Sequence, residues 1–347
     1  MISALFSWAA GYSSPVSGDI IESIKYLQFV PYMMAITFIG IASLSHLHKL
    51  LFWSAILVLL IGYIQVLNIP FLAEWLLKKY LGADSSHLAS ALAGYRITIT
   101  GSDPNIGAVI ASFFSIYFTT LFLKEKTYKY LIFALLFSFL ILSTQSRTIL
   151  GAFLSTFSFY FLFFYKLNFI IKIILLTLLI TSIIFLVFSL ELQYIYLGAQ
   201  LTSEGENESL NIRLDNFSLA IERFYESPLF GMGPAKSEFS TVIDSEYALI
   251  IQRYGILGIF LFGFYIIYLL RLAMRNISSQ WGITLFIFII FSCVTMTTNN
   301  IFSGYQLMSI IVLLNITCVL HEKQNRNVLI KYTNLKKSTS HLHSFFR

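Results

Sequence analysis

Nine apolar runs of membrane length constrain the fold of this chain more than any other feature. They cover about 26–45, 50–67, 105–123, 129–145, 148–165, 169–190, 247–270, 281–299 and 302–320. A hydrocarbon core about 30 Å thick needs roughly 20 apolar residues in a helix, and only helices or closed barrels satisfy the backbone there. With 57% hydrophobic and 12% charged residues, the sequence predicts an all-α integral membrane protein. We expect one polytopic membrane domain over 1–347.

The positions of the basic residues predict the orientation of these spans. With the tail 321–347 in the cytoplasm, the inner segments hold Lys49, Lys124, Lys126, Lys129, Lys166, Lys172, Arg271, Arg275 and six tail residues. Only two acids, Glu125 and Glu322, fall on that side, as the positive-inside rule requires. The basic tail is therefore a topology determinant near anionic lipid, which argues against nucleic acid as a partner. An odd number of spans puts the N-terminus outside, so we expect a missing upstream helix or a miscounted span. No cleaved signal segment is recognisable.

Two polar stretches on the outer side carry further helices. After the second span, Ile69, Leu72 and Leu76 share a helical face, which predicts a short helix lying in the membrane interface. The largest outer loop covers 191–246. Within it an amphipathic helix is predicted from Leu214, Phe217, Ile221 and Phe224, with Arg213 in its first turn.

Arginines at the outer face or at membrane depth break the charge pattern: Arg96, Arg147, Arg213 and Arg253. An ionisable residue at such depth is a candidate functional group. Near Arg96, Asp103 is predicted to cap a helix whose first residue is Pro104. This cap leaves Asn105, at the start of a span, free to contact a ligand or a neighbouring helix.

Two of these arginines leave alternatives open. Arg147 lies in the tight turn Ser143–Thr148, where it either extends to the lipid headgroups or helps to form an anion-binding turn. Arg253 lies seven residues after Glu246 and so shares its helical face. The two residues form a structural ion pair, or an acid at the mouth of a cavity with a cation deeper inside.

Histidine and cysteine residues predict no metal site and no cofactor. His46 and His48 are placed on an inner turn, and no histidine pair at ligand spacing lies near the acids. The two cysteines, Cys293 and Cys318, lie inside apolar runs.

Four short motifs, in this order, resemble the bacterial O-antigen polymerase family (Wzy) and its relative, the O-antigen ligase (WaaL). They are Gly101–Asn105, the Ser146–Thr148 turn, the segment Arg213–Gly233 ending in "SPLFGMG", and Glu246–Gly258 with "RYGILG". The resemblance covers roughly 94–320. The ligases carry a histidine in the large outer loop, and 191–246 contains none, which favours the polymerase.

The resemblance implies a GT-C-like, metal-independent membrane glycosyltransferase of the bacterial inner membrane, with its active site facing the periplasm. Its substrates would be undecaprenyl-pyrophosphate-linked oligosaccharide repeat units. The growing glycan would move from its carrier onto a new unit, and a chain-length regulator is a conceivable partner.

The resemblance also implies a role for the outer arginines. Negative charge grows on the pyrophosphate as its bond to the sugar breaks, and guanidinium groups stabilise such charge well. Arg147 and Arg213 are assigned this catalytic role, with Arg96 binding beside them and Arg253 as a fourth cation.

The remaining roles fall to acids and neutral polar groups. Asp244 or Glu246 is expected to act as general base for the acceptor hydroxyl, with Asp103 as runner-up. Asn105 and Tyr247 are expected to bind sugar hydroxyls.

Three other functions remain as alternatives. A ligase would transfer finished polymer to a lipid A core sugar. A transporter of lipid-linked sugars would show internal repeats and charges spread through the bundle, and no repeat is found. A purely structural membrane subunit would not need clustered outer arginines.

Overall fold

The computed structural model describes residues 2–24, 44–81, 86–93, 96–164, 208–238 and 243–324, with isolated residues between 27 and 34 and between 168 and 181. The predicted spans 26–45 and 169–190 lie largely outside these residues, as do 191–207 of the large loop and the tail beyond 324. Every regular element in the described part of the chain is a helix.

Twelve helices make up the described segments. They are α1 (Ile2–Ala9), α2 (Ser17–Ile24), α3 (Leu44–Val66), α4 (Leu72–Leu81), α5 (Ser86–Leu92), α6 (Pro104–Glu125), α7 (Tyr128–Ser143), α8 (Arg147–Phe164), α9 (Glu208–Glu226), α10 (Glu246–Arg275), α11 (Gln280–Thr295) and α12 (Tyr305–Gln324). Five of them, α3, α6, α8, α10 and α12, are long and apolar enough to cross a membrane. The shorter apolar helices α7 and α11 match two further predicted spans. The total of nine spans and the GT-C-like fold stay predictions.

The core of the bundle lies around α6 and α11. Helix α6 packs against α7 and α11, and α11 also packs against α8 and α10. Phe118, Phe137 and Phe288 are fully buried there, and the Thr120 and Thr284 hydroxyls bond each other at 2.7 Å. The outward face of α3 is instead apolar and exposed, with Leu57 and Leu60 more than half accessible. Such a surface suits lipid rather than water.

The bundle has two chemically different ends. At one end, α6, α8, α10 and α12 begin while α3, α7 and α11 finish; we call it the cavity end. The opposite end carries Lys49, Lys124, Lys129, Arg271 and Arg275, and we call it the basic end. This segregation agrees with the orientation predicted from the basic residues.

Helix α10 is broken at Gly255, and the loop Pro228–Gly233 fills the break. Gly255 has φ 56° and ψ −155°, which releases backbone groups on both sides. The N–H groups of Ile256 and Leu257 donate to Pro228 and Leu229, while Met232 and Gly233 donate to carbonyls of Gln252 and Arg253. A Cβ on Gly255 would lie 2.5 Å from the Pro228 oxygen. The motifs "SPLFGMG" and "RYGILG" are therefore two halves of one structural unit.

The N-terminal helices α1 and α2 pack onto this unit, which the sequence analysis did not predict. Asp19 is fully buried and accepts hydrogen bonds from the Trp8 indole and from the Lys236 backbone, both at 2.9 Å. Glu22 forms an ion pair with Arg253 at 2.6 Å. Residues 2–24 thus hold the 227–237 loop against α10.

Two predicted helices on the cavity side are observed with different details. Helix α9 begins at Glu208, so Arg213 lies in its second turn and the prediction of a first-turn position was wrong. Helix α4 exists, but its buried face is formed by Ala73, Leu76 and Leu77. Leu72 is 39% exposed, so the predicted face of Ile69, Leu72 and Leu76 is only partly correct.

Candidate active site

A polar cavity of about 460 Å³ opens at the cavity end, among the starts of α6 and α8, the side of α9 and the loop before α12. We call it the arginine cavity because it gathers three arginines from distant parts of the chain. Its charged and polar lining residues are Arg96, Asp103, Asn105, Gln145, Ser146, Arg147, Thr148, Arg213, Asp244, Thr298, Asn299 and Asn300. Six of the nine predicted site residues therefore line one cavity: Arg96, Asp103, Asn105, Arg147, Arg213 and Asp244.

The first wall is the start of α6. Asp103 caps this helix, with its carboxylate accepting from the N–H groups of Asn105 at 2.7 Å and Ile106 at 3.0 Å. Pro104 occupies the first helical position, so the predicted cap is confirmed. Such a cap is worth about 1 kcal/mol and fixes where the span begins.

Gln65, near the end of α3, secures the segment that carries Arg96. Its buried amide accepts from the N–H groups of Thr98 and Ile99 and donates to the Ile99 carbonyl, at 2.7 to 3.0 Å. Three hydrogen bonds from one buried side chain give the 96–101 segment a defined path although it is irregular.

Arg96 is oriented by the turn between α7 and α8. Its Nε donates to the Thr144 carbonyl at 3.1 Å, and the residue is only 7% exposed. Burying a guanidinium is costly unless it is hydrogen-bonded or paired, and this backbone contact fixes its orientation. Arg96 is therefore a buried cation held in place beside the cavity.

The turn Ser143–Thr148 forms the second wall. Gln145 adopts φ 53°, and Ser146 donates to the Asn105 amide oxygen at 2.7 Å. Arg147 is the first residue of α8, so its guanidinium and the positive end of the helix dipole lie at the same point. This geometry favours the anion-binding alternative for the turn over extension to the headgroups.

Helix α9 supplies the third cation. The Arg213 Nε lies 4.0 Å from an Asp244 oxygen, and this Nε is buried without a hydrogen-bond partner. Half of the Asp244 side chain remains accessible, at 49%. The two groups thus attract each other without a close hydrogen bond, which leaves both able to bind a ligand.

The loop between α11 and α12 contributes residues that the sequence analysis missed. Thr298, Asn299 and Asn300 line the cavity. The Asn300 amide nitrogen donates to the Ile243 carbonyl at 2.9 Å, while its oxygen is buried without a partner. Leaving a buried acceptor unsatisfied costs about 1–3 kcal/mol, which a ligand hydroxyl would recover.

Glu246, Tyr247 and Arg253 do not line the arginine cavity. Glu246 is 1% exposed and accepts from the backbone N–H groups of Phe302 and Ser303 at 3.0 and 3.2 Å. The Tyr247 hydroxyl donates to the Cys293 carbonyl at 2.8 Å, and Arg253 pairs with Glu22. Of the two alternatives for these residues, the Glu246–Arg253 ion pair is therefore not formed. The two side chains are two helical turns apart, about 10 Å along the axis, and each has a nearer partner.

The surroundings of Asp244 shift its acidity. Partial burial raises the pKa of this carboxyl above its ordinary value of 3.8, and the negative charge of Asp103 adds to the increase. Arg213 opposes both by favouring the ionised form. A carboxylate with a raised pKa next to arginine side chains is a suitable proton acceptor.

Within the described segments, no group of three or more histidine, cysteine, aspartate or glutamate side chains comes together. Whether the protein works without a metal stays a prediction.

A comparison with protein families gave a match over part of the chain. Residues 131–262 match the family model Wzy_C, described as O-Antigen ligase. This region runs from α7 to the middle of α10 and contains Arg147, Arg213 and Asp244. Comparisons with curated proteins and with solved structures gave no match. The family match agrees with the resemblance drawn from the four motifs, and it shows that residues 131–262 are similar to the O-antigen ligase family.

Proposed function

We propose that the arginine cavity transfers a glycan from a lipid pyrophosphate to a sugar hydroxyl, and that the protein is a surface-polysaccharide polymerase of the bacterial inner membrane. The observation that carries this proposal is the meeting of Arg96, Arg147 and Arg213 with the carboxylate of Asp244 in one cavity. Three cations around a half-exposed acid that is not engaged as a helix cap match a reaction whose leaving group is an anion and whose nucleophile loses one proton.

The proposed step is a single displacement. The oxygen of an acceptor sugar hydroxyl forms a bond to the anomeric carbon of the donor glycan. The bond from that carbon to the pyrophosphate oxygen breaks, and the electron pair leaves with the lipid pyrophosphate. Asp244 takes the hydroxyl proton. Arg147 and Arg213 stabilise the growing charge on the pyrophosphate, and such preorganised donors contribute about 100- to 1,000-fold each when removed singly.

The cavity also has the shape that a lipid-linked donor requires. Ile106 and Val109 of α6 and Leu307 of α12 line its membrane side. A second, apolar cavity of about 360 Å³ is lined by Ile110 on α6 and Ile310 on α12, about one turn further along both helices. A polyprenyl chain would run along this seam while its pyrophosphate lies among the arginines.

The test uses the purified full-length protein and synthetic lipid-linked repeat units. We expect Arg147→Ala and Arg213→Ala to lower polymer formation at least 100-fold, and Arg213→Lys to recover only part of it because an ammonium is not bidentate. Arg271→Ala at the basic end is the matched control. Normal polymerisation by both cavity variants would refute the proposal.

The ligase is the second candidate, because the matching family model is described as O-Antigen ligase. A gene deletion separates the two reactions. Loss of a polymerase leaves single repeat units on the lipid A core, whereas loss of a ligase leaves the core without any polymer. The polymerase reading predicts a surface-polysaccharide ladder that collapses to one band.

A further inference from the structure

A second groove, of about 430 Å³, lies at the basic end between α3, α6 and α7, and the proposed reaction does not use it. One side of the groove is apolar, formed by Phe52, Trp53, Phe118 and Leu121. Its mouth is polar, formed by Ser45, Lys49, Glu125 and Lys129. The groove thus joins charged groups at the membrane edge to an apolar surface at membrane depth.

The mouth carries two lysines and one carboxylate, so its net charge is positive. Lys49 is exposed near the start of α3. Lys129 lies in the first turn of α7, with its ammonium 4.7 Å from the centre of the Tyr130 ring. The positive end of the α7 dipole adds to this field. Glu125 opposes it but does not cancel it.

The inner wall of the groove is held by a polar network centred on His48. Its Nδ1 lies 2.6 Å from the Tyr117 hydroxyl, and its Nε2 lies 2.9 Å from the Gln280 amide nitrogen. The ring also packs on Trp281, with centroids 4.6 Å apart. His48 therefore belongs to α3 and not to the inner turn predicted for it. The network ties α3 to α6 and α11, so the groove is a formed feature rather than a gap between loose helices.

We propose that this groove binds an anionic phospholipid of the surrounding bilayer. The phosphate lies between Lys49 and Lys129 with the Ser45 hydroxyl as a donor, and the start of an acyl chain covers Phe52, Trp53 and Leu121. A soluble anion would leave the apolar wall uncovered. A zwitterionic phospholipid would bring a further cation close to two lysines, so charge complementarity selects an anionic headgroup. This proposal is independent of the reaction at the arginine cavity.

The test measures lipid retention by native mass spectrometry on the full-length protein in detergent. Phosphatidylglycerol and phosphatidylcholine with identical acyl chains are added in parallel. We expect preferential retention of phosphatidylglycerol, and a loss of about 30-fold in its apparent affinity for the double variant Lys49→Gln, Lys129→Gln. The double variant Arg271→Gln, Arg275→Gln makes the same charge change at the same end outside the groove, and it should keep the preference.

Three results would overturn the proposal. The first is equal retention of the two lipids by the wild-type protein, and the second is an equal loss of phosphatidylglycerol in both double variants. The third is retention of soluble glycerol phosphate as strong as that of phosphatidylglycerol. Hydrogen exchange on the wild-type chain tests the location without any substitution. Phosphatidylglycerol should slow exchange around residues 44–53 and 125–130 more than phosphatidylcholine does, and an absence of that difference would also contradict the site.

Discussion

The two carboxylates of the arginine cavity, Asp103 and Asp244, are held in opposite ways. Asp103 accepts two backbone hydrogen bonds and serves the start of α6. Asp244 has one distant partner, Arg213 at 4.0 Å, and remains half accessible. A carboxylate already engaged as a cap is a poor proton acceptor, so in the proposed reaction Asp103 has an architectural role and Asp244 is the proton acceptor.

Asp244 should therefore control the pH dependence of polymer formation. The ionised carboxylate is the active form, so the rate falls as the pH is lowered through its pKa. Because burial and Asp103 raise this pKa, the fall should occur above pH 3.8. Asp244→Asn should lower the rate by about 100- to 10,000-fold. It should also abolish this fall in rate at low pH, which is the acid limb of the pH–rate profile. A rate profile from the purified enzyme measures both effects.

Neighbouring substitutions should move the acid limb in opposite directions. Arg213→Ala removes a charge that favours ionisation, so the limb moves to higher pH. Asp103→Asn removes a repelling charge while asparagine still caps the helix, so the limb moves to lower pH. If neither variant moved the limb, another group would be responsible for it.

Asn300 should contribute to substrate binding through its unpaired amide oxygen. Asn300→Ala removes an acceptor that we expect to bind a sugar hydroxyl, and one such hydrogen bond is worth about 1 kcal/mol. The KM for the repeat unit should rise about two- to tenfold. Thr297→Ala, in the same loop but outside the cavity, is the control. An equal rise in KM in both variants would show that the effect comes from a less stable loop and not from a lost contact with the substrate.

For single residues, the sequence predicts the charged members of the arginine cavity better than the neutral ones. Arg96, Arg147 and Arg213 could be singled out because they depart from the positive-inside pattern of the other basic residues. Asn300 could not, because a neutral amide among threonines after a span carries no charge or spacing signal. Glu246 was misplaced because the backbone N–H groups that bind it, those of Phe302 and Ser303, follow 56 and 57 residues later.

Among the elements, α10 and the 228–233 loop depend on each other. The break at Gly255 leaves two N–H groups and two carbonyls that this loop satisfies, and the Arg253 carbonyl also accepts from the Ser3 hydroxyl. The loop in turn leads from α9, which carries Arg213, back towards Asp244. The glycines of "SPLFGMG" therefore act on the site indirectly, by holding α9 at the cavity. Sequence periodicity predicts a continuous α10 and gives no sign of the break except the glycine itself.

Gly255→Ala should destabilise the protein, whereas Gly263→Ala on the same helix should not. An alanine at Gly255 would take a positive φ and contact the Pro228 oxygen at 2.5 Å, and such strain costs about 1–3 kcal/mol. No atom lies within 4 Å of a Cβ placed on Gly263, and alanine favours a helix by up to about 1 kcal/mol. Thermal unfolding in detergent compares the two variants. Equal transition temperatures would show that the break tolerates a side chain.

For the whole molecule, apolar length and basic residues predict most of the architecture. Seven of the predicted spans have a helix in the described segments because a 20-residue apolar run has few other stable states in lipid. The packing of α1 and α2 onto the Gly255 unit could not be predicted, because it depends on single contacts such as Glu22 with Arg253. Long-range partners of this kind leave no periodic signal in the sequence.

The orientation of the molecule is the prediction on which the periplasmic site depends. With Cys293 and Cys318 replaced by alanine, single cysteines are introduced at Ser102 near the cavity and at Ser278 at the basic end, both of which are exposed. A membrane-impermeant maleimide should label position 102 in intact spheroplasts, and position 278 only after lysis. The physical reason is that the basic end carries Lys49, Lys124, Lys129, Arg271 and Arg275 with few acids, and such a basic end is expected to stay in the cytoplasm. The reverse pattern would put the arginine cavity on the cytoplasmic side, where it could not polymerise glycans at the outer face. Both the orientation and the proposed reaction would then be refuted.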